Sequence, residues 1–184
     1  MASAFTHAFF ALALGRVYAS AAEMPARFWL LSALCAVMPD ADVIAFAFRV
    51  PYGDVLGHRG LTHSLAFALM TAVLVVLVFF RGGEFGRGAL VVYFFLVTAS
   101  HGVLDALTDG GLGVAFFAPF DGARYFFPWR PLVVSPIGVG SFFSEWGLAV
   151  MLSEFVWVWL PSLLVVFVVL TLRGLRRGRA RDGR

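Results

Sequence analysis

All four histidines of the chain lie in or beside apolar segments, in company with aspartates. His58 and His63 flank the start of one such segment, and His101 and Asp105 are four residues apart in another. Residues four apart share one face of a helix. Imidazole nitrogens and carboxylate oxygens together are ligands for zinc, iron or manganese. The candidate metal ligands are His7, Asp40, Asp42, His58, His63, His101 and Asp105.

Seven such groups exceed what one ion usually takes from a protein, so the sequence predicts one or two divalent ions, with zinc the first candidate. Such sites polarise a phosphoryl or carbonyl group and supply hydroxide near neutral pH. Asp40 and Asp105 are candidates to bridge metals or to act as the base. Arg59 could clamp a phosphate or carboxylate with its guanidinium, or it could anchor the chain at the surface. Asp40 follows Pro39, so it could instead bond backbone groups freed by a helix break.

The elements that must position these residues are membrane helices. Of 184 residues, 61% are hydrophobic and only 14% are charged, and the mean hydropathy is +0.89. These values exclude an ordinary soluble domain, a coiled coil and a disordered chain. A helix needs about 20 apolar residues to cross a bilayer. The apolar stretches are 4–15, with an extension toward residue 22, and then 28–48, 61–80, 89–107 and 155–172. We therefore expect an all-α, polytopic membrane helical bundle with about five membrane segments.

Cationic residues set the expected orientation. The chain has 14 arginines and no lysine, and cytoplasmic loops of membrane proteins are enriched in positive charge. Five crossings put the following arginines on one side, which should be the cytoplasm together with the C-terminus: Arg16, Arg27, Arg81, Arg87, Arg173, Arg176, Arg177, Arg179, Arg181 and Arg184. The candidate ligands then meet in the outer leaflet. This agreement is independent, because the orientation was set from the arginines alone.

Three further segments complete the domain organisation. Residues 110–140 are rich in glycine, proline and aromatics, and predict a loop in the outer interface. Residues 141–154 predict a short interfacial helix, with Glu154 at the interface. We expect a single membrane domain over 1–172 and a frayed basic tail over 173–184 that lies against anionic lipid.

Three polar residues near the loop have two interpretations each. Asp109 could orient a histidine as its hydrogen-bond acceptor, or it could simply end a helix. Arg124 and Arg130 could bind lipid headgroups, or they could extend to the interface as snorkelling side chains. The single cysteine, Cys35, excludes a disulfide framework and a cysteine-based zinc site.

Four pieces of the sequence carry a family resemblance. They are Thr6-His7, Pro39-Asp40-Ala41-Asp42, the run from His58 to Ser64 (HRGLTHS), and Ser100-His101 with Asp105, Thr108 and Gly110. With these pieces the chain resembles the YdjM-type family, described as LexA-binding, inner-membrane-associated, metal-dependent hydrolases. The resemblance implies a multi-pass protein of the bacterial inner membrane and a metal-dependent hydrolase activity.

Together these observations predict a hydrolase, with a phosphoester of a lipid-linked or amphipathic substrate as the preferred target. The partner is then membrane lipid and not nucleic acid, since the net charge is only +3. A non-enzymatic metal transporter or sensor is the alternative. A membrane di-iron oxidase is disfavoured because the chain lacks HxxxH and HxxHH boxes, and an intramembrane zinc protease because it lacks HExxH.

Overall fold

The computed structural model describes residues 1–19, 24–82 and 85–182, and over these ranges the chain is helical without a single strand. Two 3₁₀ segments, Met38–Phe48 and Leu61–His63, and one π-helical turn, Phe155–Trp159, join or extend the α helices. The α helices are α1 (Ala4–Tyr18), α2 (Ala26–Val37), α3 (Leu65–Phe79), α4 (Arg87–Ala106), α5 (Val139–Phe142), α6 (Glu145–Glu154) and α7 (Leu160–Asp182). The predicted all-α class is confirmed.

Among the described residues, three continuous helical stretches are long and apolar enough to cross a membrane: Ala26–Phe48, Arg87–Ala106 and Glu145–Arg176. Helices α1 and α3 have 15 residues each and therefore extend about 22 Å at 1.5 Å per residue. This is shorter than the bilayer core of about 30 Å. The expected five segments thus correspond to three of spanning length and two shorter helices. Helix α1 ends at Tyr18, and the possible extension over 20–22 falls outside the described residues.

The second membrane segment changes its helix type at a proline. After α2 the chain continues as a 3₁₀ helix over Met38–Phe48, with Pro39 in its first turn. Proline has no N–H to donate and its ring displaces the preceding carbonyl, so the α-helical pattern stops there. The 3₁₀ segment ends at Arg49, which takes a left-handed conformation. This segment positions Asp40 and Asp42.

Helix α4 lies at the centre of the bundle, where it contacts α1, α2 and α3. Its buried face carries Tyr93, Phe94 and Val97, which pack with Phe28 of α2 in the main apolar core. The Ser32 and Tyr93 hydroxyls, 2.7 Å apart, join α2 to α4. By contrast, most large side chains of α3 and α7 are exposed, as expected of surfaces that face lipid. The last two turns of α4 therefore hold His101 and Asp105 fully buried inside the bundle.

The final helical stretch differs from the sequence expectation. Helix α6 continues through a π-helical turn (Phe155–Trp159) directly into α7. Pro161 cannot close the usual hydrogen bond to the preceding turn, which accounts for the irregular turn at this point. The interfacial helix expected over 141–154 is therefore, for its greater part, the start of the last membrane helix. The expected fraying after residue 173 was also wrong, because α7 remains helical to Asp182.

The two sets of polar residues lie at opposite ends of the bundle. His7 is in the first turn of α1, and His101 and Asp105 are in the last turns of α4. At the other end, Arg27 lies over the Phe80 ring at 5.4 Å, and Arg173 donates to the carbonyl of Val17 at 2.8 Å. The predicted separation of arginines from histidines is confirmed for these residues. Arg184, assigned to the same side, is outside the described part of the chain.

Candidate metal centre

Four side chains from three segments direct one donor atom each at a common point. The Nε2 atoms of His63 and His101 are 3.0 Å apart. Asp40 Oδ1 is 3.2 Å from His101 Nε2 and 3.7 Å from His63 Nε2. Asp105 Oδ2 is 3.5 Å from His63 Nε2 and 4.0 Å from His101 Nε2. Ligands of a tetrahedral zinc ion, at bond lengths of about 2.0–2.1 Å, are separated by about 3.3 Å, so these spacings suit one ion.

The oxygens in this group lack the partners that burial demands. Both carboxylate oxygens of Asp40 and Oδ2 of Asp105 are sealed from solvent and have no hydrogen-bond partner among the described residues. An isolated buried carboxylate is very costly unless it is paired or binds a metal. The donor set therefore fits a divalent cation. Asp40 bonds no backbone group at the Pro39 break, so that alternative for Asp40 was wrong.

Hydrogen bonds on the far side of each imidazole fix the direction of its Nε2. His101 Nδ1 lies 2.6 Å from the carbonyl of Ala36, and His63 Nδ1 lies 3.0 Å from the Thr62 hydroxyl oxygen and 3.2 Å from Asp42 Oδ2. The Thr62 hydroxyl gives its own hydrogen to Asp42, so its oxygen, like the Ala36 carbonyl, accepts, and both Nδ1 atoms carry the proton. A carbonyl or carboxylate behind a histidine is the usual arrangement at metal sites, where it orients the ring.

Asp42 lies beside the four-atom group and its oxygens are fully engaged. It accepts from His58 Nδ1 at 2.6 Å and from the Thr62 hydroxyl at 2.7 Å. It also accepts from the Arg59 backbone N–H at 3.1 Å. Asp42, His58 and His63 form a second possible three-ligand group. It would use His63 Nδ1, the nitrogen that already faces Asp42.

Arg59 is completely buried, which overturns the interpretation of it as a surface anchor. Its Nε lies 3.1 Å from Asp105 Oδ2. Its two terminal nitrogens donate to the carbonyl of Gly110 at 2.9 Å and to the Thr108 hydroxyl at 3.0 Å. The guanidinium therefore holds Asp105 in place and neutralises part of the acidic charge around the centre.

His7 lies next to the centre but outside the four-atom group. Its ring stacks on His101 with centroids 3.7 Å apart, and its Nε2 is 3.4 Å from Asp105 Oδ1. The structure thus brings all seven predicted ligands together. Four of them surround one point, and His7, Asp42 and His58 contact those four.

A buried network at the start of the chain was not predicted from the sequence. The Ala2 N–H donates to Asp105 Oδ1 at 2.7 Å. Glu154, wholly buried and not at an interface as expected, accepts from Ser3 N–H, from the Ser3 hydroxyl and from the Thr6 hydroxyl. The only available signal was one acidic residue directly before an uncharged apolar run.

The loop after α4 packs over the segment that carries the histidines. Arg124 donates to the backbone carbonyls of His58 and Tyr52 at 3.0 and 3.1 Å. It therefore clamps two loop segments, and neither of the predicted roles at the lipid surface is correct. Asp109 accepts from the Val134 N–H at 2.8 Å, so among the described residues it orients no histidine. Arg130 lies over the Phe126 ring at 4.7 Å.

A helical bundle with spanning helices and a buried His/Asp cluster at one end defines an integral membrane protein with a candidate metal centre. The chain belongs to the YdjM inner membrane protein family, whose sequence profile matches residues 1–178. It is similar to inner membrane protein YbcI of Escherichia coli (strain K12), with 38% identity over 169 residues, which cover 90% of this chain and 95% of the relative. No solved structure matches the chain. The family resemblance and the inner-membrane location are confirmed.

Proposed function

We propose that this protein is a metal-dependent hydrolase of the inner membrane that uses a single divalent ion. Asp40, His63, His101 and Asp105 would hold the ion, with zinc the first candidate and manganese or iron the alternatives. The observation that carries the proposal is the convergence of buried Asp40 and Asp105 oxygens on two imidazole nitrogens, with both oxygens of Asp40 lacking a hydrogen-bond partner among the described residues.

One ion is favoured over two by the hydrogen bonds of Asp42. A second ion on Asp42, His58 and His63 would have to displace the short bond between His58 Nδ1 and Asp42. It would also have to bind the imidazole of His63 through both of its nitrogens. Asp42 serves better as the acceptor that orients His63, and His58 is then free for another role.

A bound divalent ion supplies Lewis acidity and a water of lowered pKa. The protein residues supply the remaining functions. The second oxygen of Asp40, Oδ2, has no hydrogen-bond partner among the described residues, and it would be the group to accept a proton from a water at the centre. Arg59 and the Ala2 N–H fix Asp105 from two sides. Packing of loop 110–140 over the centre excludes bulk water.

The preferred substrate is a phosphoester of a lipid-linked or amphipathic molecule at the outer face of the membrane. The centre lies at one end of the bundle, opposite Arg27 and Arg173. If that arginine end is cytoplasmic, as positive charges favour, the centre opens at the outer face and the C-terminus is inside. Exposed aromatics on the loop, Phe120 and Trp129, are suited to the headgroup region of the bilayer.

A metal transporter or sensor is the alternative. Transport sites lie near the middle of the membrane, between repeats and on broken helices that open to both sides. Here the donors crowd one end of the bundle, and Arg59 lies directly beside them. The positive charge of the buried Arg59 guanidinium would oppose passage of a metal ion through this region. The hydrolase is therefore the better-supported function.

Elemental analysis of the detergent-purified protein tests the metal, with a His63→Ala/Asp105→Ala variant beside it. We expect about one equivalent of metal in the wild type and none in the variant, while Asp109→Asn, outside the centre, keeps its metal. A phosphoester panel then tests the reaction. A wild type that binds no metal even after reconstitution would overturn the proposal. Metal flux into proteoliposomes without hydrolysis would favour the transporter.

A reporter fused to the C-terminus tests the orientation. A cytoplasmic reporter signal is expected from intact cells. A periplasmic signal would place the centre on the cytoplasmic side and would exclude a substrate at the outer face. This measurement is independent of metal binding and of hydrolysis.

A further inference from the structure

His58 is held differently from the two histidines of the four-atom group. Its Nδ1 bonds Asp42 Oδ1 at 2.6 Å, and its ring packs edge-to-face against Tyr52 with centroids 5.2 Å apart. Among the described residues, its Nε2 has no hydrogen-bond partner. Asp42 therefore fixes the ring and leaves the second nitrogen available, as in other Asp–His pairs in which the carboxylate orients the imidazole.

The His58 ring borders a cavity of about 290 Å³, and on its other side the same ring packs against His63 of the metal centre. Other residues around this cavity are Met1, Tyr52, Gly111, Val134 and Trp146. The volume is just below that of typical small-molecule sites, about 300–1,000 Å³. It is large enough for a phosphate group and the first atoms attached to it.

Gly111 lines this cavity, and the lack of a side chain there lets Arg59 and Tyr52 pack closely against its backbone. It has φ +90°, and a Cβ atom there would come within 2.7 Å of Arg59 Nη1 and 2.9 Å of the Tyr52 hydroxyl. Only glycine takes this conformation without strain. The guanidinium of Arg59 and the hydroxyl of Tyr52 thus lie directly behind Gly111. Burial raises the pKa of Tyr52, so this hydroxyl stays protonated and can donate a hydrogen bond.

We infer that His58 is a catalytic residue that contacts the substrate and is not a metal ligand: its Nε2 forms a hydrogen bond with an oxygen of a phosphate group that enters through this cavity. The inference rests on the proposed function for its choice of substrate class. Three features support it, namely the Nδ1 engaged by Asp42, the position of the ring at the cavity, and the cationic guanidinium of Arg59 next to Gly111.

The matched substitution is His58→Asn, because the asparagine amide can still donate to Asp42 in place of Nδ1 but has no group in place of Nε2. His63→Asn is the control that removes a proposed ligand. Two probes are used with full-length protein in detergent: zinc alone, and inorganic phosphate added to the zinc-loaded protein. Zinc stoichiometry and phosphate affinity are both measured by calorimetry, so neither readout needs turnover.

We expect His58→Asn to bind one zinc like the wild type and to bind phosphate at least about tenfold more weakly, whereas His63→Asn loses zinc. Loss of zinc in His58→Asn to the same extent as in His63→Asn would make His58 a ligand and overturn the inference. Unchanged phosphate affinity, or no saturable phosphate binding by the wild type, would also overturn it. His58→Gln, whose amide reaches the place of Nε2, should recover part of the phosphate affinity, and thermal unfolding shows whether each variant is folded.

The failure of this inference can be told from the failure of the proposed function. If no phosphoester is hydrolysed but zinc and phosphate bind as expected, the hydrolase proposal fails and the assignment of His58 to an anion-binding cavity holds. If phosphoesters are hydrolysed and His58→Asn hydrolyses them at the wild-type rate, the hydrolase proposal holds and the role of His58 is wrong.

Discussion

His63 and His101 face each other through their Nε2 atoms at 3.0 Å, and each ring donates from Nδ1 to a protein acceptor. In two neutral rings held this way, both Nε2 atoms present a lone pair to the same space. Lone pairs at this distance repel each other unless a proton or a metal ion lies between them. The hydrogen bonds to Thr62 and Ala36, with the Asp42 carboxylate beside the His63 ring, therefore prepare the pair for a cation.

The four-ligand interpretation predicts unequal effects of two neighbouring histidines. His101→Gln should reduce metal affinity by at least about 100-fold, because it removes a donor nitrogen. His7→Gln should reduce it by less than about tenfold, because His7 only stacks on His101. Chelator competition measures both affinities. Equal losses in the two variants would place His7 among the ligands.

Asp42 is predicted to affect the metal affinity by orienting His63, without binding the ion itself. Asp42→Asn weakens the acceptor that orients His63, and such changes typically cost about 10–100-fold in metal affinity. The stoichiometry at saturating metal should stay at one ion, as determined by elemental analysis. If instead the wild type binds two ions and this variant binds one, Asp42 is a ligand of a second ion.

Metal removal should destabilise the fold, because it leaves both oxygens of Asp40 buried without a hydrogen-bond partner and leaves Asp105 with the Arg59 guanidinium alone to balance its charge together with that of Asp40. An ion present at 100 times its dissociation constant stabilises the native state by about 2.7 kcal/mol. Chelator should therefore lower the melting temperature of the purified wild type and leave that of the His63→Ala/Asp105→Ala variant almost unchanged. An identical shift in both would show that the chelator acts elsewhere.

Gly111 and Gly122 form a matched pair for testing the cavity wall. Gly111→Ala forces a Cβ atom against Arg59 and Tyr52 at a positive φ, so it should destabilise the protein by about 1–3 kcal/mol. Gly122→Ala, with nothing within 4 Å of the new atom, should be within about 0.5 kcal/mol of the wild type. Thermal unfolding of both variants measures the difference, and equal stability would contradict the tight packing of Arg59 behind Gly111.

Glu154 and Glu145 lie in the same helix, α6, and form a matched pair because the first is buried and the second is exposed. Glu154→Ala leaves the hydroxyls of Ser3 and Thr6 without their acceptor, and hydrogen bonds to charged groups contribute about 1.5–3 kcal/mol each. The melting temperature of the Glu154→Ala variant should therefore fall well below that of the wild type. Glu145 is exposed, so Glu145→Ala should change stability by no more than about 0.5 kcal/mol. A tolerated Glu154→Ala would show that the N-terminal segment is held by its other contacts.

Composition and residue spacing were sufficient for the class of the fold. Apolar stretches marked the membrane helices, because a bilayer demands them, and Pro39 marked the change of helix type. The continuity of α6 with α7 was not predictable from these signals. Glu154 interrupts the apolar pattern there, and its burial depends on Ser3 and Thr6, which come from the far end of the chain.

The members of the candidate site were predicted better than their roles. Polar residues in apolar segments stand out, so the sequence singled out seven residues that the structure brings together. The distinction between Asp40, with no bonded oxygen, and Asp42, with both oxygens engaged, depends on side-chain positions over three segments. Spacing along the chain does not show which carboxylate oxygens are hydrogen-bonded. The clamp formed by Arg124 was missed for the same reason, since its acceptors are backbone carbonyls.

The network around Glu154 also bears on how the protein is made. Chains emerge from the ribosome N-terminus first, so a nascent chain that has reached Asp105 already contains every donor of the proposed centre. The segment that presses Ala2 against Asp105 gains its bonds to Glu154 when that residue has been synthesised and the last helix has docked. Insertion of the final membrane helix is therefore the step that completes the centre, and a prematurely terminated chain would leave it unfinished.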